Sequence, residues 1–272
     1  MNSIATLNKI NFYGDVTRNG RFTFAEINQA VNDATMAFID EILGDPEQRT
    51  PNNFQLTQSI RTNLENLIKT ATITPTNGTV IVNKYYSVTP SHINVPVDYY
   101  DFIALNNLID GFTDYSRPTN YSMKGPLFKD SFKHPTNAKT YFNEDATGLQ
   151  IYRGVGGTYT SATLEYIRNT VDFTIGTEAN LIGAGGALVN GLTYIATEIS
   201  VQNAVTYAVG TSFVALGVLL TSGQVILSTN TSPIDLPAKI HSDICKRAAT
   251  ILLKVSGNIP QSQAVEAEVD KS

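Results

Sequence analysis

The side chains of this chain that could carry chemistry are few and far apart. Its three histidines, His92, His134 and His241, stand in three different contexts, and none has a second histidine at metal-ligand spacing. They are expected to be polar surface residues, with no metal site. The single cysteine, Cys245, follows Ile244 in an apolar-periodic segment. A nucleophilic cysteine needs a partner histidine and a lowered pKa. Neither is visible, so Cys245 reads as a small core hydrophobe. One cysteine also excludes an intrachain disulfide and a Cys-based zinc site. Asp98 and Asp101 could form a carboxylate pair, but their place in the first turn of a predicted helix explains them as dipole complements. Gly154-x-Gly156-Gly157 and Gly183-Ala184-Gly185-Gly186 lack a following helix and a Walker lysine, so they read as turns or hinges and not as phosphate loops. No catalytic, cofactor-binding or metal-ligating residue is therefore expected, and the chain reads as a non-enzyme. There are 13 tyrosines and no tryptophan. Tyr85-Tyr86, Tyr99-Tyr100 and Tyr115 cluster in the middle, which suits either an interface or packing at the edge of a core.

Composition narrows the classes further. At 272 residues the chain can bury a sizeable core without staples. Charged residues make up 16%, well below the usual quarter, and the net charge is −5. So few charges imply that partners cover part of the surface. The acidic balance, with no cluster of Lys and Arg, argues against nucleic-acid binding as the main task. The first residues, Met1-Asn2-Ser3-Ile4-Ala5-Thr6, lack a basic and an apolar region of the secretory kind, so an intracellular folding compartment is expected. Residues 199–234 are uncharged, but Thr206, Gly210, Thr211, Ser212 and Gly217 interrupt the apolar run, and no membrane span is expected.

The elements that would position any site alternate in kind. Residues 1–20 are polar and predict an extended arm. Thr23-Phe24-Ala25-Glu26 reads as a capping box. Phe24, Ile27, Val31, Ala34, Phe38 and Ile42 follow at helical spacing, and Gly44 and Pro46 end the helix. A second helix is predicted from about Phe54 to Thr70, antiparallel to the first. Residues 79–82 read as a strand. Val95-Pro96-Val97-Asp98 opens a third helix, with Phe102, Ile103, Leu105, Leu108 and Ile109 on its buried face. Residues 112–148 read as a long irregular arm. Leu149–Arg153 and Thr158–Arg168 read as a pair of strands. A fourth helix opens at Leu236-Pro237, with Ile240, Ile244, Ala248, Ile251 and Leu252 as its stripe and Gly257 as its cap. A polar tail, 258–272, follows.

Between Arg168 and Lys239 there is no lysine or arginine, and only Asp172, Glu178, Glu198 and Asp235 are charged. Leu192–Val201, Val205–Val209, Phe213–Leu220 and Gln224–Ser228 read as short strands separated by turns. Composition changes on entering this stretch and changes back on leaving it, the pattern of an inserted module. The expected fold is therefore α+β: an antiparallel helical bundle host, 1–173 plus 233–272, interrupted by a small all-β barrel or sandwich at 174–232. Such a module should be removable with the host left soluble.

The host pattern resembles head-to-tail connector proteins of short-tailed phages, the tail tubular protein A type, and the neck ring proteins of crAss-like gut phages. The resemblance rests on the two N-terminal helices, Val95-Pro96-Val97-Asp98-Tyr99, the strand ending Leu164-Glu165-Tyr166-Ile167-Arg168, and Leu236-Pro237 followed by a helix with Ala248-Ala249. The β segment resembles a small module of gut-phage virion proteins, through Leu192-Thr193-Tyr194, Val205–Phe213 and Ser222-Gly223-Gln224-Val225. The resemblance implies a virion protein assembled in the bacterial cytoplasm as a dodecameric ring between portal and tail. It would touch copies of itself, the portal, and tail tube, nozzle or neighbouring ring proteins. DNA would pass through it unbound during genome ejection, and no membrane or catalytic residue is implied. A β-rich glycan- or protein-binding adhesin module, reading sugars through exposed tyrosines, is the alternative.

Overall fold

A computed structural model of the chain describes residues 3–14, 22–44, 58–82, 87–119, 121–130, 132–146, 148–202, 204–215, 219–257, 263 and 265. The chain forms two compact units: Met1–Leu43 with Thr170–Ser272, and Gly44–Asn169. Tyr85-Tyr86, Pro46 and nearly all of the tail 258–272 lie outside the described residues.

The N-terminal residues are a helix, α1 (Ser3–Tyr13), and not an extended arm. Ile4, Leu7 and Ile10 form its buried edge. A helix this short has little stability of its own and forms on tertiary packing, so propensity alone did not reveal it. Next comes α2 (Phe24–Leu43), and its capping box forms. The Thr23 N–H donates to Glu26 Oε2 at 2.7 Å, and the Glu26 N–H donates back to Thr23 Oγ1 at 3.2 Å. Gly44 ends the helix at φ +74°.

The second unit is where the expected helical host fails. Its helix α3 spans Gln58–Asn63, while residues 54–57, where the predicted helix began, lie outside the described residues. Leu64 and Leu67 are buried as their pattern required, but they flank a turn, and the chain then becomes β1 (Ile68–Ile73). Short strands β2 (Thr76–Asn77) and β3 (Ile81–Val82) pair with β4 (Ser87–Asn94). The third predicted helix is a strand, β5 (Tyr99–Ile109). Pro96 opens a turn, its carbonyl accepting the Tyr99 N–H at 3.0 Å. In β5 the polar Asn107 occupies a fully buried position. It hides the alternation that marks a strand, leaving 102, 105 and 109 at a helical spacing.

The predicted irregular arm, 112–148, holds β6 (Phe112–Tyr115), β7 (Arg117–Pro118), the helix α4 (Tyr121–Lys129) and β8 (Tyr141–Asp145). Then come β9 (Gly148–Gly154) and β10 (Tyr159–Arg168), which do not pair with each other as expected. The first lies between β4 and β8, the second between β1 and β5. One sheet runs β1-β10-β5-β6; the other runs β2-β4-β9-β8-β7 with β3 beside β4. Their facing residues share one core that includes Ile93, Phe102, Leu105, Leu149, Ile151 and Leu164. The opposite face of the second sheet carries Val88, Tyr141 and Tyr152 against Leu127 and Phe128 of α4. Phe142 and Ile151 face one way, Tyr141 and Tyr152 the other, as the two-residue period of a strand demands.

Thr170 onward completes the first unit. Its strands are β11 (Leu181–Ile182), β12 (Thr193–Ala196), β13 (Ser200–Gln202), β14 (Val205–Tyr207), β15 (Ser212–Val214) and β16 (Val225–Leu227), shorter than the strands expected there. They form the sheet β11-β16-β12-β15 and the ribbon β13-β14. Tyr194, Phe213 and Val225 pack on one face of the sheet, while Ile195 and Ile226 meet Ile4 of α1 on the other. The final helix, α5 (His241–Val255), packs against both α1 and α2. Among the described residues the fold is mostly β, built on four sheets, and is not a helical bundle carrying one β module.

The returning chain is tied to α2 by side chains. Asn32 accepts the Phe173 N–H at 2.7 Å and donates to the Phe173 carbonyl at 3.3 Å. Asn28 accepts the Ile175 N–H at 3.0 Å and donates to the Gly176 carbonyl at 3.2 Å. Four residues of helix rise about 6 Å and two residues of strand about 6.6 Å, so the two repeats match. On its other side Thr174 exchanges two backbone hydrogen bonds with Ser232.

Replacing Asn32 by Ala leaves the buried Phe173 without either partner, and an unmatched buried group costs about 1–3 kcal/mol. Urea denaturation of the full chain should show a loss of that size; a loss below about 0.5 kcal/mol, the level of an ordinary surface change, would mean the ladder does not hold the unit. Excising 176–231 should be compatible with chain continuity, because Thr174 and Ser232 already meet, but it removes Ile195 and Ile226 from Ile4. Hydrogen exchange on that variant should find α1 unprotected while α2 and α5 stay protected.

Candidate functional site

The residues singled out in the sequence do not converge. His92, on β4, lies 3.7 Å from Asp145. His134 sits in a loop of the same unit, its N–H bonded to the Asp130 carbonyl. His241 opens α5 and is buried, not a surface residue. Its Nε2 lies 2.7 Å from the Leu236 carbonyl, so Nε2 carries the proton and donates, while Nδ1 has no hydrogen-bond partner among the described residues. Burial holds its pKa below the ordinary histidine value, and the charge of Lys9 adds to the effect. Cys245 is fully buried, and burial pushes its thiol up to about 12, so it is no nucleophile at neutral pH. Among the described residues no group of three or more His, Cys, Asp or Glu could hold a metal ion.

Asp98 and Asp101 are not in a helix, so the dipole explanation fails. Asp98 accepts the Tyr166 hydroxyl at 2.9 Å and the Lys69 ammonium at 3.2 Å, and the Tyr166 bond leads in lowering its pKa. Asp101 accepts the Phe102 N–H at 2.9 Å. Tyr99 stacks on Tyr166, with centroids 6.0 Å apart, and donates to Glu144 at 2.9 Å. Burial, reinforced by Glu144, pushes its phenol well above the usual value. These groups tie strand ends together.

The glycine turn 154–157 is the inverse of a phosphate loop. Carbonyls hold a cation there: Arg153, buried, donates to Gly156 O at 2.6 Å, Gly154 O at 3.4 Å and Asn77 Oδ1 at 3.2 Å. Gly157 has φ +76°, and a Cβ there would come within 2.3 Å of Asp110 Oδ2. The buried Asn107 is satisfied, accepting the Tyr159 hydroxyl and donating to Ser116 Oγ at 2.5 Å and Thr140 Oγ1 at 2.8 Å. In the Gly183–Gly186 run the Gly186 N–H bonds the Gly183 carbonyl, a turn as expected.

Two surface features stand apart. The first is a groove of about 400 Å³ between the start of α2 and the end of α5, with Phe22, Ala30, Ile251, Leu252 and Val255 in its lining and, among the described residues, Glu26 and Asp33 as its charged members. Helix α2 carries Glu26, Asp33, Asp40 and Glu41 and no basic residue. The second, in the other unit, is the loop after α4. Phe132 is 88% exposed there. The Phe132 and Lys133 N–H groups donate to Asp130 Oδ1 at 2.8 and 3.2 Å, and Lys139 Nζ donates to the Phe132 carbonyl at 2.9 Å. The backbone is pinned on both sides while the ring faces water. Residues 117–139 hold Arg117, Lys124, Lys129, Lys133 and Lys139 against the single acid Asp130. Both charge runs are visible in the sequence, but only the fold tells which side chains reach the surface. No protein-family model and no curated protein matches this chain. Among the described residues no helix is long and apolar enough to cross a membrane.

Neutral His241 makes stability pH-dependent. Its folded pKa lies below the unfolded value of 6.5, so its contribution is fully present above pH 6.5 and is lost as pH falls through that value toward the folded one. Thermal melts of His241→Gln, which keeps the donor to Leu236, should fall less between pH 7 and pH 5 than those of the parent chain. Equal slopes would show that His241 does not carry the effect.

Proposed function

We propose that this chain is a structural subunit of a phage neck, one copy in a head-to-tail connector ring between portal and tail that forms part of the DNA conduit. The observation that carries the reading is the segregation of surface charge and apolar area: an acidic helix beside an open apolar groove on one unit, and a basic loop with an exposed aromatic on a pinned backbone on the other. Subunits of a closed ring meet through two different patches, and this chain carries two of opposite character. The net charge of −5 suits a wall that lets DNA pass without gripping it.

Three of the sequence features behind the phage resemblance keep their form, namely the capped α2, β10 ending at Arg168, and α5 after Leu236-Pro237. The second N-terminal helix does not, since Ile68–Ile73 is a strand, and neither does the Pro96 element, which leads into the strand Tyr99–Ile109. Portal, tail tube or nozzle proteins and neighbouring rings are the proposed flanking partners. The glycan alternative has less to stand on. The two tyrosines of 174–232 are Tyr194, which is buried, and Tyr207, half-buried with one face stacked on Phe213 at 4.0 Å.

Mass spectrometry of purified virions should find the chain in intact particles, and light scattering should give a cyclic oligomer. A strict monomer that never enters particles would sink the proposal.

A further inference from the structure

Phe132 has the properties of an interface anchor. Hot spots are rigid aromatic or arginine side chains that enter desolvated pockets, surrounded by contacts that exclude water. An anchor held in place before binding loses less entropy on docking. Three hydrogen bonds hold the backbone of residues 132–133, and the adjoining Lys133 side chain, 70% exposed, lies with its ammonium 4.0 Å from Asp130 Oδ2, an exposed pairing that docking at a second acid would exchange. The α2/α5 groove has the complementary character. Its floor is apolar, Val255 on its edge is 79% exposed, and the charged lining residues among those described, Glu26 and Asp33, are both acids.

From this complementarity we infer that the Phe132-Lys133 loop of one copy docks into the α2/α5 groove of a second copy, the ring of Phe132 on Ile251 and Val255 and the Lys133 ammonium at Asp33. The inference rests on the ring reading and names its interface. The contact is heterologous, loop to groove, so each copy still offers a free loop and a free groove after one contact forms. Repetition then gives a closed ring or an open filament. The chain's own tail is a poorer occupant on charge. Residues 258–272 carry Glu266, Glu268 and Asp270 against Lys271, and would bring acids to an acidic rim.

Three measurements on the full-length chain test the contact. Phe132→Ala should weaken self-association about thirtyfold, the effect of removing one hot-spot side chain. Lys133→Glu and Asp33→Lys should each weaken it, and the doubly swapped chain should recover most of the loss. In a Phe132→Cys/Val255→Cys chain, oxidation should give a ladder of dimers and higher species on a non-reducing gel, since Cys245 is buried. A product of monomer size would put the contact within one chain and overturn the inference. So would an unchanged oligomer in Phe132→Ala and Asp33→Lys, or strictly additive charge swaps; a ring that survives those changes leaves the ring reading standing. A parent chain that is monomeric at every concentration removes both.

Discussion

Asn28 and Asn32 stand one helical turn apart on α2, and together they act as a strand toward Phe173–Gly176. The first compact unit depends on this match, because its two segments are separated by the whole of Gly44–Asn169. A returning extended chain brings N–H and C=O groups into a buried setting, where each needs a partner. Phe173 and Ile175 are buried, and the helix offers no backbone groups of its own. Two carboxamides supply what a neighbouring strand would, because each has both a donor and an acceptor. With that seam closed on one side and the Thr174–Ser232 pairing on the other, the short strands that follow have a fixed point of departure. Their sheet can then cover Ile4 on one face and close its own small core on the other.

The second unit solves a different problem with the same chemistry. Two sheets share one apolar core, yet β5 in the first carries Asn107 and β9 in the second carries Arg153, both buried. Neither is left unmatched. Asn107 is bonded to hydroxyls of Tyr159, Ser116 and Thr140, and Arg153 to loop carbonyls and Asn77. Buried polar groups cost stability only when they lack partners. Here the partners sit on turns and strand ends, so the polar interior fixes the loops. The guanidinium draws in the carbonyls of the Gly154–Gly157 turn, and Asp110 and Asn137 close it from the other side.

The groups most perturbed by their surroundings, Tyr99, Tyr159 and Cys245, are all explained by burial and local bonds, and burial also lowers the pKa of His241. None stands beside a cleft with a partner of matched reactivity. What the described residues present at the surface is charge and apolar area in separated places.

The sequence by itself determined the capped helix α2, the apolar stripe of α5, the strand character of 148–154 and 159–168, and the β character of the stretch without lysine or arginine. Each is a local signal: a reciprocal cap, a 3.6-residue or two-residue period, a run of β-branched residues with turns. The tertiary structure decided the rest. Leu64 and Leu67 were legible as buried but not as turn residues, because burial is common to helix and strand. Asn107 disguised β5, since a buried asparagine looks like a break in the pattern until its hydroxyl partners, 9 to 52 residues away, are brought beside it. Helix α1 was invisible because its Ile4 is buried against a sheet nearly two hundred residues downstream, and the helix packs on α5, further away still. Of the surface, the acidic helix and the basic loop can be read in the one-letter code. That Phe132 points outward from a pinned turn, and that α2 and α5 leave a groove between them, are facts of packing, settled by contacts between residues that the sequence keeps far apart.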